Sequence, residues 1–196
     1  ELEARTKAYP NDARALSILG SLLRSTGNID PALNALNQAV RASPNKQTIM
    51  FQLGQTYLSA GKIEEGVAVF KKAFELEPNF EEARKFYALS LFISGKIKES
   101  DQLLMEGFGT VVVDDNNFLN LYAEAKLYDR VVKIWELRVE KEPDNVQSYG
   151  ALSGAYILLG QREKAIEVLV ELGKRKPDLQ AEVDQHIKNI RAGRNP

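Results

Sequence analysis

Prolines recur through this chain on a fixed interval. Pro10, Pro44 and Pro78 follow one another at 34-residue steps, and Pro143 and Pro177 are again 34 apart. The step from Pro78 to Pro143 is 65, three short of two intervals, and Pro31 is the one internal proline off the grid. Self-similarity on such a period signals a stack of supersecondary units, each burying its apolar face against the next. Asn or Asp follows every grid proline: Asn11-Asp12, Asn45, Asn79, Asp144-Asn145 and Asp178. Proline cannot continue a helix, and Asn or Asp caps the next one by accepting from its free N–H groups. Each step therefore reads as helix end, tight turn, helix start. A second break falls at Gly27, Gly61, Gly95 and Gly160, where glycine suits the left-handed position past a helix C-terminus. At Asp30-Pro31 the sequence offers a cap followed by proline in the first helical position. Each period thus holds two helices of about three to four turns.

Apolar residues keep helical spacing within each period. Leu16, Leu19, Leu22 and Leu23 form one stripe, and Ala32, Leu33, Leu36, Ala39 and Val40 the next. Met50, Leu53, Tyr57 and then Val67, Phe70, Ala73, Phe74 repeat the arrangement. Small residues recur where two helix backbones must approach: Gly20, Ala32, Ala39, then Gly54, Gly66, Ala73.

Composition narrows what such a stack does. The chain has 196 residues, 44% hydrophobic and 27% charged, which is too apolar for a disordered tail. Lys plus Arg is 26 against 27 for Asp plus Glu, a net charge of -1, so the electrostatic footprint of a nucleic-acid binder is missing. No apolar run is long enough to span a membrane. Without cysteine there is no disulfide framework, thiolate metal site or Cys nucleophile, and the lone His186 excludes a histidine cluster within one chain. What remains is a soluble globular or repeat domain that is not an enzyme and is expected to use no cofactor or metal. Zero cysteine does not choose between compartments. The chain opens on Glu1 without the basic start, apolar stretch and cleavage site of a secretory leader, and reads as a piece of a longer protein.

Large residues paired with small ones at eight fixed places, closed by proline on a 34-residue period, resemble the tetratricopeptide repeat. Residues 13–46 carry the pattern as Leu16, Leu19, Gly20, Leu23, Ala32, Leu36, Ala39 and Pro44. Residues 47–80 carry it as Met50, Leu53, Gly54, Tyr57, Gly66, Phe70, Ala73 and Pro78. Residues 146–179 match with Tyr149, Leu152, Ser153, Tyr156, Ala165, Leu169 and Pro177, but have Leu172 where a small residue is usual. The resemblance implies an all-α fold, a right-handed α-solenoid of antiparallel helix pairs. One domain over 1–196 is expected: a half repeat at 1–12, repeats at 13–46, 47–80 and 146–179, degenerate repeats at 81–111 and 112–145, and a capping helix over 179–193. Residues 1–9 resemble only the second helix of a repeat, with Leu2, Ala4 and Ala8 on its apolar face, so more protein is expected upstream. At the other end Leu179, Val183, Ile187 and Ile190 form one stripe, with Glu182, Asp184, Lys188 and Arg191 covering the rest.

The middle departs from the pattern. Arg84 replaces a large apolar residue in 81–111, and the closing proline gives way to Gly107-Phe108-Gly109-Thr110-Val111-Val112-Val113-Asp114-Asp115. Two glycines should end the helix early, three valines favour an extended stretch, and Asp114 or Asp115 should cap a new helix. The following unit keeps Phe118, Tyr122, Trp135 and Pro143 but puts Leu119, Val131 and Arg138 at usually small places, which should hold its two helices apart. A local change in superhelix pitch is expected near 107–115.

Chemistry-bearing motifs are weak. Gly107-Phe108-Gly109 lacks the third glycine of a phosphate loop and follows a helix, and Glu64-Glu65, Glu81-Glu82 and Lys174-Arg175-Lys176 sit at helix ends that favour their charge. The resemblance instead implies a protein-interaction scaffold: the first helix of each repeat lines a concave groove that takes a peptide or partner helix. Carried over by alignment, the groove is lined by Ser17, Ser21 and Arg24, by Phe51, Gln55 and Leu58, by Lys85, Leu89 and Phe92, by Asn116 and Asn120, and by Gly150 and Gly154. Phe51 and Leu58 fit equally an interior role against neighbouring repeats. Clamping of acidic chaperone C-termini is disfavoured, because Ser17 and Ser21 stand where that subtype has its first Lys and Asn. A narrower similarity, to C-terminal repeat tails of bacterial O-antigen ligase or polymerase-like membrane proteins, rests on Phe108-Gly109-Thr110, Val112-Val113-Asp114-Asp115, the Tyr128-Asp129 to Ile134-Trp135-Glu136 segment and the ending from Ile190 to Pro196. It implies an accessory domain of a glycan-assembly protein with a membrane tether upstream. A structural spacer, or self-association through the N-terminal end, remains the third reading.

Overall fold

The computed structural model of the chain describes residues 2–194, apart from the side chains of residues 3 and 7. Expectations that involve Glu1, Asn195 and Pro196 lie outside the described residues. The fold is all-α, and consecutive helices pair as short-looped hairpins. It divides into two compact units, 1–111 and 112–196, and the division falls inside the Gly107–Asp115 stretch. The first unit holds α1 (Leu2–Ala8), α2 (Ala13–Ser25), α3 (Ile29–Ala42), α4 (Gln47–Ser59), α5 (Ile63–Leu76), α6 (Glu81–Ile93) and α7 (Ile97–Phe108). The second holds α8 (Asn116–Glu124), α9 (Tyr128–Lys141), α10 (Val146–Leu158), α11 (Arg162–Arg175) and α12 (Gln180–Arg191), with a 3₁₀ turn at Pro177–Leu179.

Helix ends follow the punctuation in the sequence, with corrections. Gly27, Gly61, Gly95 and Gly160 all adopt positive φ between the helices of a pair. In the α8–α9 turn that place belongs to Lys126, at φ 58°. Asp12 caps α2 by accepting from the Ala15 N–H at 2.9 Å, and Asn145 caps α10 through Ser148. Asn45 and Asn79 do not cap: they sit in the turns, and Lys46 and Phe80 occupy the N-cap positions of α4 and α6 without a side-chain bond. Asp30 is not a cap either, since α3 already begins at Ile29. Pro31 is tolerated there because the first-turn N–H groups have no intrahelical partner anyway.

Packing in the first unit rests on close crossings. A Cβ on Gly20 would lie 2.5 Å from Leu36 Cγ, and one on Gly54 2.6 Å from the Phe70 ring. Ala32, Ala39 and Ala73 have no exposed surface. Met50, Phe51, Phe70, Ala73 and Ala83 form a core cluster, with Phe86 stacked on Phe70 at 5.4 Å. Of the first sequence stripe Leu16 is buried, but Leu22 is 54% exposed; the matching Thr56 and Ser90 are fully buried because α4 and α6 each pack on the preceding α2 or α4, a neighbour that α2 does not have among the described residues.

Arg84 is accommodated by an exchange of sizes. Gly107 stands opposite, where a Cβ would come within 2.1 Å of the Arg84 Cδ. The guanidinium donates to the carbonyls of Leu103 (3.1 Å) and Pro78 (3.0 Å) and lies over the Phe74 ring. Gly107 itself stays helical; Gly109, at φ 67°, ends α7 in the left-handed conformation. Residues 112–115 form no strand, although Val112 and Val113 are buried.

In the second unit Val183, Ile187 and Ile190 of α12 are buried against the rest of the unit, while Glu182, Asp184, Lys188 and Arg191 face solvent. Ser153 lies at the α10–α11 crossing and donates to the Ala165 carbonyl at 3.1 Å, which satisfies a fully buried hydroxyl. Among the described residues no helix is long and apolar enough to cross a membrane.

Candidate functional site

The residues assigned to a groove take different roles in the two units. In the first, most of the apolar ones are used in packing. Ser17 is buried and donates to Gln52 Oε1 at 2.8 Å, tying α2 to α4. The ring of Phe51 is 6% exposed, 4.8 Å from Phe86 and 6.1 Å from Phe80. Leu58 covers Gly66, and Phe92 is buried. Lys85 holds its ammonium 5.6 Å from the Phe108 ring. Ser21, Arg24, Gln55 and Leu89 keep partial exposure. The Arg24 Nε is buried and meets no hydrogen-bond partner among the described residues.

The second unit is open. α8 begins at Asn116 and has nine residues, against thirteen in α4, α6 and α10. Its missing first turn corresponds to Val112–Asp115. Asp115 caps the shortened helix, accepting from the Asn117 N–H at 2.7 Å. Asp114 turns instead to α9: Arg138 Nε donates to it at 2.7 Å and Lys141 Nζ at 2.6 Å. Arg138 also donates to Asn116 Oδ1 at 2.8 Å and lies over the Trp135 ring at 4.7 Å. Partial burial works to raise the Asp114 carboxyl, but the hydrogen bonds from Lys141 and Arg138 outweigh it and hold the group below its ordinary value. A polar cavity of about 360 Å³ occupies the place of the absent turn, bounded by Asp114, Asn116, Trp135, Arg138 and Gln147.

A second cavity, about 340 Å³ and largely apolar, shares Trp135 with the first and lies between α9 and α10. Val131 and Trp135 form its floor, and Ala151, Gly154, Ala155 and Leu158 its wall. Two causes leave it open. α8 and α10 do not touch, whereas α2 touches α4 and α4 touches α6. The α10 face there is also made of small residues, Ala151, Gly154 and Ala155, and a Cβ added at Gly154 would meet nothing within 4 Å. Leu158 is 57% exposed at the rim. Asn120 is exposed on α8. Beneath the wall, the Tyr156 hydroxyl donates to Glu136; burial first, and then this bond to a carboxylate, push the phenol up to about 12.

Of the aligned groove residues, Asn116, Gly150 and Gly154 line cavities of the second unit. Val131, Trp135, Arg138 and Leu158 line these cavities without having been expected at a site from the residue pattern. The signal for the apolar cavity was the run of small residues Ala151, Gly154 and Ala155 on one face of α10, and that for Arg138 its size at a usually small place. No group of three or more His, Cys, Asp or Glu side chains is placed to hold a metal among the described residues.

Family models described as tetratricopeptide repeat match residues 23–89 and 146–178, together about half the chain. No curated protein sequence matches significantly. Solved structures are alike in fold at low identity. A tetratricopeptide repeat protein from Parabacteroides merdae aligns over 96% of this chain and 79% of its own, with TM-score 0.63 and 16% identity. MamA from Desulfovibrio magneticus RS-1 aligns over 85% and 96%, with TM-score 0.58 and 16% identity. YrrB, a TPR protein with an unusual peptide-binding site, aligns over 96% and 98%, with TM-score 0.55 and 18% identity.

Proposed function

This chain belongs to the tetratricopeptide repeat family, and on that premise we propose that it is a protein-interaction scaffold whose second unit binds a peptide or partner segment along the α10 face. One observation carries the reading. The cavity over Val131 and Trp135 is apolar and roofless because α8 stands clear of α10 and because Gly154 projects nothing into it. An exposed apolar recess flanked by polar groups is what a peptide needs: the recess takes an apolar side chain, and the rim takes backbone hydrogen bonds. Asn116 and Gln147 supply amide groups at the polar cavity, which shares Trp135 with the recess, and Asn120 is exposed on α8. YrrB, alike in fold, is a protein with a peptide-binding site, which is in line with this reading.

The test fills the recess without disturbing the crossings. Peptides selected from a random displayed library on the wild-type chain are titrated by calorimetry against the wild type and Gly154→Trp. The variant should weaken them by about tenfold or more, equivalent to about 1.4 kcal/mol, with no loss of thermal stability. Undiminished affinity in Gly154→Trp places the binding elsewhere and ends the proposal.

A further inference from the structure

Phe51 shows what one position of the repeat is built to hold. It is the fifth residue of α4, and its buried ring fills the space in front of α6, against Phe86 and Phe80. The fifth residue of α10 is Gly150. Three of the residues around the two positions correspond, while Gln185 stands at the place of Phe86 and does not line the cavity. Leu169 in α11 matches Phe70 in α5, Leu172 matches Ala73, and Leu179 before α12 matches Phe80 before α6. What the first unit closes with a phenyl ring, the second leaves empty. A Cβ at Gly150 would meet nothing within 4 Å, and a cavity of about 220 Å³ lies there. Leu169, Leu172, Leu179 and Val183 line it, and Glu182 and His186 of α12 stand at it. No Phe, Tyr or Trp is among its lining residues.

Size and chemistry select the occupant. Sites for whole small molecules run to about 300–1,000 Å³, so this cavity suits one side chain. Three of its walls, Leu169, Leu172 and Val183, are buried aliphatics, and Ser153 beside them has spent its proton on the Ala165 carbonyl. These buried aliphatic walls have no bonds to offer a polar group and reward an apolar one; the ionisable side chains at the cavity, Glu182 and His186, belong to exposed residues. We propose that the Gly150 cavity is a binding subsite for a phenylalanine-sized aromatic side chain of a peptide lying on the α10 face, in the place that Phe51 fills from within the chain in the first unit. The proposal rests on the peptide-binding reading above and names the residue class that reading left open.

The probes are the capped amino acids N-acetyl-phenylalanine amide, N-acetyl-leucine amide and N-acetyl-alanine amide, titrated into the full chain and followed by amide NMR. The phenylalanine probe should give saturable shifts at Gly150, Ser153 and Val183. The leucine and alanine probes should bind those amides more weakly, the alanine probe by about tenfold or more. Gly150→Phe should abolish the shifts and raise Tm by about 2–4 °C, because the ring covers the apolar walls from inside. Should that variant not fold, Gly150→Leu serves the same purpose. Shifts that persist in the filled variant, or equal affinity for the three probes, overturn the proposal. The two readings separate when the library-selected peptides are tested on both variants. Loss in Gly154→Trp with full binding by Gly150→Phe removes the aromatic subsite and leaves the groove. Full binding by both variants removes both.

Discussion

The α4–α5 and α8–α9 hairpins occupy equivalent places in the repeat and solve one crossing in opposite ways. In α4–α5 the first turn, Gln47–Met50, puts the buried Met50 in one cluster with the fully buried Ala73, while Ile49 packs on Leu16 and Ala39. In α8–α9 the residue at Ala73's place, the eleventh of the second helix, is Arg138, and those at the places of Ile49 and Met50 are Asp114 and Asp115. An arginine in the place of an alanine overfills the crossing unless the facing residue gives up the volume. The turn is unwound instead, Asp114 pairs with the cation, and a polar cavity takes its place. The α6–α7 hairpin lies between these cases. It also carries an arginine at the crossing, but Gly107 returns the volume that Arg84 takes, and α6 keeps all thirteen residues. Total volume at the crossing therefore decides whether the first turn winds, more than the polarity of the residue that supplies it.

The largest effect expected from this comparison is a pair of substitutions with opposite signs. Gly54→Leu drives a side chain into the Phe70 ring, which already lies 2.6 Å from the position of a Cβ. It should cost about 1–3 kcal/mol, read as a lower urea midpoint. Gly154→Leu adds the same atoms to open space, and as a helical glycine replaced by a better helix former it should gain up to about 1 kcal/mol. Equal destabilisation by both would mean that the α10 face is closed in solution and that the cavity over Trp135 does not exist there.

A smaller effect is expected at the turn. Four hairpins place glycine at the left-handed position and α8–α9 places Lys126 there. A side chain in that conformation costs about 1 kcal/mol, so Lys126→Gly should stabilise by about 0.5–1 kcal/mol. Gly160→Lys in the neighbouring hairpin should destabilise by a similar amount. Denaturant unfolding of the two variants measures both, and a destabilising Lys126→Gly would show that the lysine side chain contributes more than its backbone costs.

Much of this architecture was legible in residues. The 34-residue proline grid located the hairpins, and the glycines at 27, 61, 95 and 160 located the turns, because each marks a backbone requirement that few other residues meet. Gly20 and Gly54 were legible as crossing points for the same reason: there a side chain has no room. The aligned groove was less so. Alignment places Phe51 and Phe92 on the first helix of a repeat but does not say whether the ring leans toward solvent or toward the next helix, and here both are buried. Nor does it show a cavity, which arises from what is missing: the side chains of Gly150 and Gly154 and the first turn of α8. Arg138 was recognisable as too large for its place, but its pairing with Asp114 depends on a backbone path that local propensity does not set.

The smallest effect tests whether that pairing holds the unwound turn. The hydrogen bonds from Lys141 and Arg138 keep the Asp114 carboxyl below its ordinary value of 3.8 in the folded chain, against the opposing effect of burial. The folded state therefore binds the proton less readily than the unfolded state. Asp114 contributes its stability in full above about pH 4 and loses it as pH falls through the lowered folded value. Arg138 and Asp114 remain 21% and 25% exposed and Lys141 61%, so screening keeps the contribution small, about 0.5 kcal/mol. Asp114→Asn should lower the urea midpoint at neutral pH and converge with the wild type as the pH falls below the lowered folded value, where both side chains are uncharged. A deficit of the same size at both pH values would assign the role of Asp114 to its shape and hydrogen bonds instead of its charge. The unwound turn would then be held by Val112 and Val113, whose burial does not titrate.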